Sequence, residues 1–600
     1  MQAARCKWQE VTCILRLVTC NLKPETRNLI YMFIPTTKEE IKKLGWDSLD
    51  VILVTGDSYI DSPFAGVSVI GKMLIKEGFR TGIIGQPDID SGSDICRLGE
   101  PELFWGITGG CIDSMVANYT ASNKRRKNDD YTAGGDNTRR PDRAVIAYSN
   151  LIRKYFKNTK PLVLGGMEAS LRRIPHYDFR SNRLRRSILF DAKADYIVYG
   201  MGETTAVELA KKLRNENGAK DLPGICYAGK EKPEGYIELP SYEVLLKDKT
   251  AFIDMFNTFY RNNDPVTAKG LCLKHDSRYL IHNLPAPYLS TEELDAIYDM
   301  DFERDLHPFH KKEGQVRALE TIKFSISTHR GCYGECNFCA ISVHEGTTVS
   351  WRSEESIIGE AKRLASHPDF KGYILDVGGP TANMYGFECE KKLARGSCID
   401  KRCIHPKVCP KLKPDHSRQI SLLANLRKIK GIKKIFISSG IRCDLLLSDK
   451  TWGEKYLKEV VLHHVSGQLK IAPEHTEEKV LQKMGKPGTK SLVEFVDLFN
   501  RLTKEAGKEQ YLTYYFMAAH PGCDEEDMKK LKSFVSRNLK INPEQVQIFT
   551  PSPSTYSTLM YYTEMDPFTK MKIYVEKDTT SKEKQKNILI SKRAVEREKK

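Results

Sequence analysis

Six hundred residues are too many for one hydrophobic core, so two or three domains are expected. The apolar share of 40% is ordinary, and no run of about 18 apolar residues occurs, which excludes a chain built of membrane-spanning helices. The net charge of +16 admits polyanion binding, yet eleven Lys/Arg against five Asp/Glu from Lys570 onward put +6 of it in the tail alone.

At the N-terminus, CILRLVTC is interrupted by Arg16 and no small-residue cleavage site follows, so no secretory signal is expected. Sixteen cysteines, several of them clustered, fit a reducing cytoplasm with metal sites better than a disulfide framework. Residues 48–240 alternate strand-like and helix-like runs. LDVILVTG is a continuous apolar run ending in Gly, FAGVSVIGKMLIKEGF has helical spacing, and TGIIGQP, PLVLGGMEAS and ADYIVYGMGETTAVELAKKL repeat the pattern. A doubly wound sheet is the natural outcome, with Gly56, Asp57, Ser58, Gly165, Gly166, Gly200 and Glu203 gathered at one edge. The stretch 122–143, with its basic cluster Lys124–Lys127, is expected as an exposed loop. The Arg-rich 171–187 stretch suits bidentate phosphate or carboxylate contacts. Residues 241–317 are expected to connect two domains, and 568–600 to form a solvated basic tail.

Strand-like runs recur from 318 to 567: TIKFSIST, GYILDVGG, KKIFISSG, GQLKIAP, YLTYYFMAAHPG and QVQIFTPSP. The first, within ETIKFSIST (320–328), leads into STHRGCYGECNFCAISVHEG, which holds Cys332, Cys336 and Cys339. A helix with Ser353 as N-cap should follow. Three thiolates at this spacing suit a loop around one cubane cluster with one iron left open, because a cubane normally takes four. A structural zinc is the alternative, although zinc sites usually show two paired sets. A second group, Cys389, Cys398, Cys403 and Cys409, could hold zinc or another cluster, and its spacing does not choose between them.

Cys332-x3-Cys336-x2-Cys339, with Phe338 before the last cysteine, resembles the signature of radical S-adenosylmethionine (SAM) enzymes. The segments FIPTTKEEIKKLGWDSLDVILVTGDSYIDSPFAG, GGMEASLRRIPHYDFRSNRLRRSILFDAKADYIVYG and LKIAPEHTEE are similar to the YgiQ-type branch, over about Met32 to Asp566. The resemblance implies an α/β chain: a Rossmann-like, doubly wound domain at 32–240, then a partial (β/α)6 TIM-type barrel at 318–567. Residues 1–31, with Cys6, Cys13 and Cys20, would be a non-native extension. The resemblance further implies a [4Fe–4S] cluster, SAM cleaved to a 5′-deoxyadenosyl radical, and an electron donor such as a flavodoxin or ferredoxin. It makes Phe338, Gly378, Gly379, Ser438, Arg442 and Glu474 the expected SAM-contacting residues, with Pro380 where the family's Gly-Gly-Glu motif has Glu. Lys470, His475, Glu477 and His520 are weaker candidates. The first domain resembles the cobalamin-binding domains of some radical SAM enzymes, but their Asp-x-His-x-x-Gly element is absent and Tyr59 stands where the His would be. The expectation is therefore a capping domain without cobalamin. Two rival expectations are an RNA-modifying, methylthiolation-like enzyme and a metal-stapled nucleic-acid-binding protein.

Overall fold

The computed structural model describes residues 33–543 and 546–590. Cys6, Cys13 and Cys20 and the rest of the expected extension lie outside the described residues. No helix among them is long and apolar enough to cross a membrane.

The N-terminal half is built on a nine-stranded sheet. Five parallel strands run side by side: Thr81–Gly85, Val51–Thr55, Phe104–Thr108, Leu162–Gly165 and Tyr196–Val198. In chain order this is 2-1-3-4-5, so the winding reverses between Val51–Thr55 and Phe104–Thr108. The run VILVT is apolar throughout because helices cover both faces. Leu53 and Phe104 meet Val67 and Val207 on one side. Ile52, Val54 and Trp105 meet Val145 and Tyr148 on the other.

The sheet does not stop at residue 240, where the sequence reading began a connecting segment. Ile225–Gly229 turns antiparallel, then Arg278–His282, Leu271–His275 and Ile237–Leu239 extend the same sheet. These strands are short and separated by helices, so no repeating pattern marks them in the sequence.

The C-terminal half carries six strand runs in parallel pairings, one of them divided into Tyr373–Ile374 and Asp376–Gly378. Ser325–Ser327 pairs with Asp376–Gly378, and Tyr373–Ile374 with Lys434–Ile435. Gln468–Glu474 pairs with Tyr511–Ala518, which pairs with Val546–Ile548. One apolar core joins residues from all six, among them Ile326, Ile374, Ile435, Ile471, Phe516 and Val546. Helices such as Glu354–Ala365, Ser417–Arg427 and Thr489–Glu505 follow the strands. Ser353 caps the first of these as expected, its side chain accepting from the Ser356 amide. Within ETIKFSIST only Ser325–Ser327 is strand, because Leu319–Ile322 forms one helical turn.

Two segments read as solvated are docked in part, although Lys124–Lys127 is exposed as expected. The 122–143 loop buries Arg140 completely, where it meets Asp57 and Asp129. In the C-terminal tail, Thr579–Ile590 is a helix with Leu589 buried and the Lys582 ammonium donating to the Tyr561 hydroxyl.

Candidate active site between the sheet and the barrel

The carboxyl ends of the two sets of parallel strands face one another across a cavity of about 490 Å3. From the N-terminal half come Asp57, Thr108, Gly165, Gly166, Gly200 and Glu203. From the barrel come Ile326, His329, Asp376, Gly378, Gly379 and Ser439. Leu53, Phe104, Val163 and Val198 give the sheet side an apolar slot that runs in beneath the helices Gly66–Lys76 and Glu203–Arg214. Gly56 and Ser58, expected at this edge, sit behind it. A Cβ on Gly56 would strike the Gly109 carbonyl, and Ser58 bonds the Gln86 side chain.

The three-cysteine loop hangs from Ser325–Ser327. Gly331 starts it with φ +83°, and a Cβ there would lie 2.1 Å from the Thr348 carbonyl oxygen, so only glycine fits. A Cβ on Gly334 would lie 3.1 Å from Cys332 Sγ and 3.6 Å from Cys336 Sγ, which puts both sulfurs beside that residue. The Gly334 amide donates to Cys332 Sγ at 3.3 Å. Asn337 ties the loop to the end of the helix Glu478–Met484 through the Met484 and Lys483 carbonyls. Burial pushes the Cys332 and Cys339 thiols up, and the neighbouring sulfurs push them further. A cationic iron centre would relieve that cost by binding thiolates. The three sulfurs do not all lie within 4.8 Å of one another, a wider spread than the roughly 3.8 Å between thiolates on a tetrahedral zinc.

Arg330, two residues before Cys332, donates to the Glu203 carboxylate at 2.6 Å and to the Tyr298 hydroxyl at 3.1 Å. This buried ion pair joins the cysteine loop to the opposite wall of the cavity. The His329 ring lies against Gly379, where a Cβ would approach Nε2 to 2.6 Å. His329 Nδ1 bonds the Thr328 hydroxyl, Nε2 has no hydrogen-bond partner, and burial lowers the ring to about 4, so it is neutral.

The expected SAM-contacting residues divide. Gly378 and Gly379 line the cavity. Ser439 does so in place of Ser438, whose hydroxyl donates to the Leu375 carbonyl, while Ser439 donates to Asp376. Arg442 sits beside the thiols, 3.6 Å from Cys336 Sγ, with its other nitrogens on Asp444. Glu474 is buried with φ +67°, and its Oε2 has no hydrogen-bond partner. Burial lifts its carboxyl to about 7 against the pull of Lys486 and Arg442. Phe338 packs in the barrel core, edge-on to His520. His520 is committed to Ser557 and the Pro521 carbonyl, and His475 to the Glu477 amide and Cys523. The Arg-rich stretch is likewise paired internally. Arg172 meets Asp113, Arg173 lies between the Tyr199 and Phe259 rings, and Arg185 and Arg186 share Asp191. Ser439 was offered by the sequence run ISSGIRCD beside Ser438 and Arg442, whereas sequence reasoning missed His329, three residues before Cys332.

The description "Radical SAM N-terminal" matches residues 33–325, and "Radical SAM superfamily" matches 326–535. A UPF0313 protein of Fusobacterium nucleatum is 58% identical over 94% of this chain and 99% of its own length. A UPF0313 protein of Thermotoga petrophila is 48% identical over 94% of this chain and all of its own length. The chain belongs to the UPF0313 family of the radical SAM superfamily. Among solved structures, the UPF0313 chain is similar to the radical SAM methyltransferase TsrM of Kitasatospora setae with cobalamin and a [4Fe–4S] cluster bound. The TM-score is 0.49 at 15% identity, over 86% of this chain and 78% of that one. It is similar also to the cobalamin-dependent enzyme OxsB with aqua-cobalamin, with a TM-score of 0.48 at 14% identity, over 88% and 57%.

The expectation against cobalamin is corrected: two of the enzymes to which the chain is similar, TsrM and OxsB, are described with cobalamin bound. The motif that prompted it reports on one side chain only. Room for a large ligand depends on the strand order and on the apolar slot, and neither is written in that motif. Tyr59 itself is fully buried away from the cavity, with its hydroxyl on the Ile34 amide and its ring stacked on His307.

Proposed function

We propose that this UPF0313 protein holds a [4Fe–4S] cluster on Cys332, Cys336 and Cys339 and reductively cleaves SAM at the head of the barrel. The observation that supports it most is that one cavity is lined by Gly378 and Gly379 and by the residues flanking the cysteine loop on both sides, His329 and Arg330 before it and Ile341 after it. Three cysteine ligands would leave one iron for SAM, and the cluster supplies the electron that SAM cleavage needs. The chain's own residues do the rest. Gly378 and Gly379 expose backbone where a Cβ would bar approach. Asp376 and Ser439 offer an acceptor and a hydroxyl to a ribose or amino group. Glu474, poised near neutrality and lacking a partner, suits an ammonium or a moving proton. The Arg330–Glu203 pair closes the chamber between the halves, keeping water from a reactive intermediate. Anaerobic reconstitution with iron and sulfide, followed by chromatography of the SAM products, tests this reading. It requires 5′-deoxyadenosine from the native protein and none from Cys336→Ala.

A second reading gives the apolar slot to a corrinoid. The apolar walls and glycine-rich rim of the cavity favour it. No imidazole stands at position 59 to bind the cobalt from below, so the cavity walls alone would hold the macrocycle. Titration with hydroxocobalamin, read by its visible absorbance and by co-elution on gel filtration, decides it. Free elution of the corrinoid sinks this reading and leaves the first intact.

A further inference from the structure

The second cysteine group is unused by the chemistry above, yet the fold seats it directly against the first. No helix or strand forms between Arg395 and Ser417, and irregular segments of such length inside a compact domain usually serve function. This one is held in place. Ser397 donates to Asp264 at 2.9 Å, and the Cys409 amide donates to the Cys403 carbonyl at 2.8 Å. Arg402 reaches across to the first cysteine loop, donating to the Glu335 carbonyl and to Asn337 Oδ1. Tyr333, the residue after Cys332, is fully buried in a small core with Phe387, Cys389 and Ile404, and Cys332 and Cys403 both pack against that core. One aromatic residue thus lies between the two cysteine groups.

The sulfurs of the second group keep cationic company. Lys391 Nζ is 3.7 Å from Cys398 Sγ, and Lys392 Nζ is 3.9 Å from Cys403 Sγ. The loop also reaches the surface. Ile399 is 75% and Leu393 56% exposed, among the exposed Lys391, Arg395 and Lys401. Glu390 and Asp400 are exposed on the same rim, whose remaining basic excess of one favours a small acidic electron carrier over a basic one.

We propose that Cys389, Cys398, Cys403 and Cys409 bind a second iron–sulfur cluster, through which electrons reach the cluster on Cys332, Cys336 and Cys339. The relay rests on the function proposed above, whereas the metal site does not. One electron enters from an acidic one-electron carrier such as a flavodoxin and the same electron moves on to the first cluster. No bond is made or broken and no proton is transferred.

The test compares the reconstituted native chain with a variant in which Cys332, Cys336 and Cys339 are all replaced by Ala. The native chain should hold roughly eight irons and eight sulfides, and the variant roughly four of each, as two cubanes require. The paramagnetic resonance signal of the reduced variant should be unmoved by SAM. A variant that holds zinc, or no metal, overturns the proposal whatever the native chain does with SAM. In a second arm, Cys398→Ala should lower flavodoxin-driven 5′-deoxyadenosine formation at least about tenfold while dithionite-driven formation stays within about twofold. Equal loss with both reductants, or no loss with either, overturns the relay. Absence of SAM cleavage in the native chain, with four irons retained by the triple variant, instead counts against the radical SAM reading alone.

Discussion

The two walls of the cavity are made the same way and equipped differently. Each is the carboxyl edge of parallel strands, where loops converge. On the sheet side most charged groups near the edge are matched within that half, Arg140 with Asp57 and Asp129, Arg172 with Asp113, and Lys72 with Asp61, while Glu203 pairs across the cavity with Arg330. What remains toward the cavity is glycine backbone and apolar surface. On the barrel side, the His329 Nε2 and the Glu474 Oε2 have no hydrogen-bond partner, and the three thiols nearby form no disulfide. One wall sets shape and the other supplies reactivity. A ligand completes the second wall, because buried polar groups without partners cost on the order of 1–3 kcal/mol each.

The contrast can be broken hardest at the cysteine loop. Cys336→Ala should remove the cluster's brown absorbance and lower 5′-deoxyadenosine formation at least about a hundredfold, leaving the sheet half folded by circular dichroism. The seam between the walls comes next. Arg330→Ala strands the Glu203 carboxylate in the interior and should cost about 3–5 kcal/mol in urea unfolding. Replacing both partners by apolar residues should recover much of that loss, and failure to recover would mean that the pair is not an isolated unit.

Glu474 sharpens the comparison through pH. Its folded carboxyl stands at about 7, above the ordinary 4.5, so the protonated form is favoured in the native state. The stability it contributes is complete below about pH 4.5 and is lost as pH rises through 7, amounting to at most about 3 kcal/mol. Glu474→Gln should therefore melt increasingly above the native protein between pH 5 and pH 8. An unchanged difference across that range would place the carboxyl in contact with water. The smallest effect is expected at Gly379. Gly379→Ala brings a methyl group against the His329 ring, so SAM cleavage should fall about tenfold while the iron content is unchanged.

Much of this was readable along the chain, and its limits are instructive. The cysteine triplet, the Gly378–Gly379 pair and the βα alternation are local patterns, and short-range sterics keep them together wherever the chain goes. The Arg-rich 171–187 stretch misled because a guanidinium looks the same in sequence whether it faces a ligand or Asp113. The basic tail misled similarly, since Leu589 is the kind of single apolar residue that declares itself only by being buried. Ser438 and Ser439 are adjacent, and which of them faces the cavity depends on where Asp376 stands one strand away.

Spacing within a few residues was enough to place three thiols on a loop after a strand, and to set a second cysteine group downstream. Bringing those groups onto one small core around Tyr333, and bringing Glu203 to Arg330 across 127 positions, required the folded chain. So did the chamber itself, since a cavity between two sheets belongs to neither stretch of sequence and arises from how their edges meet.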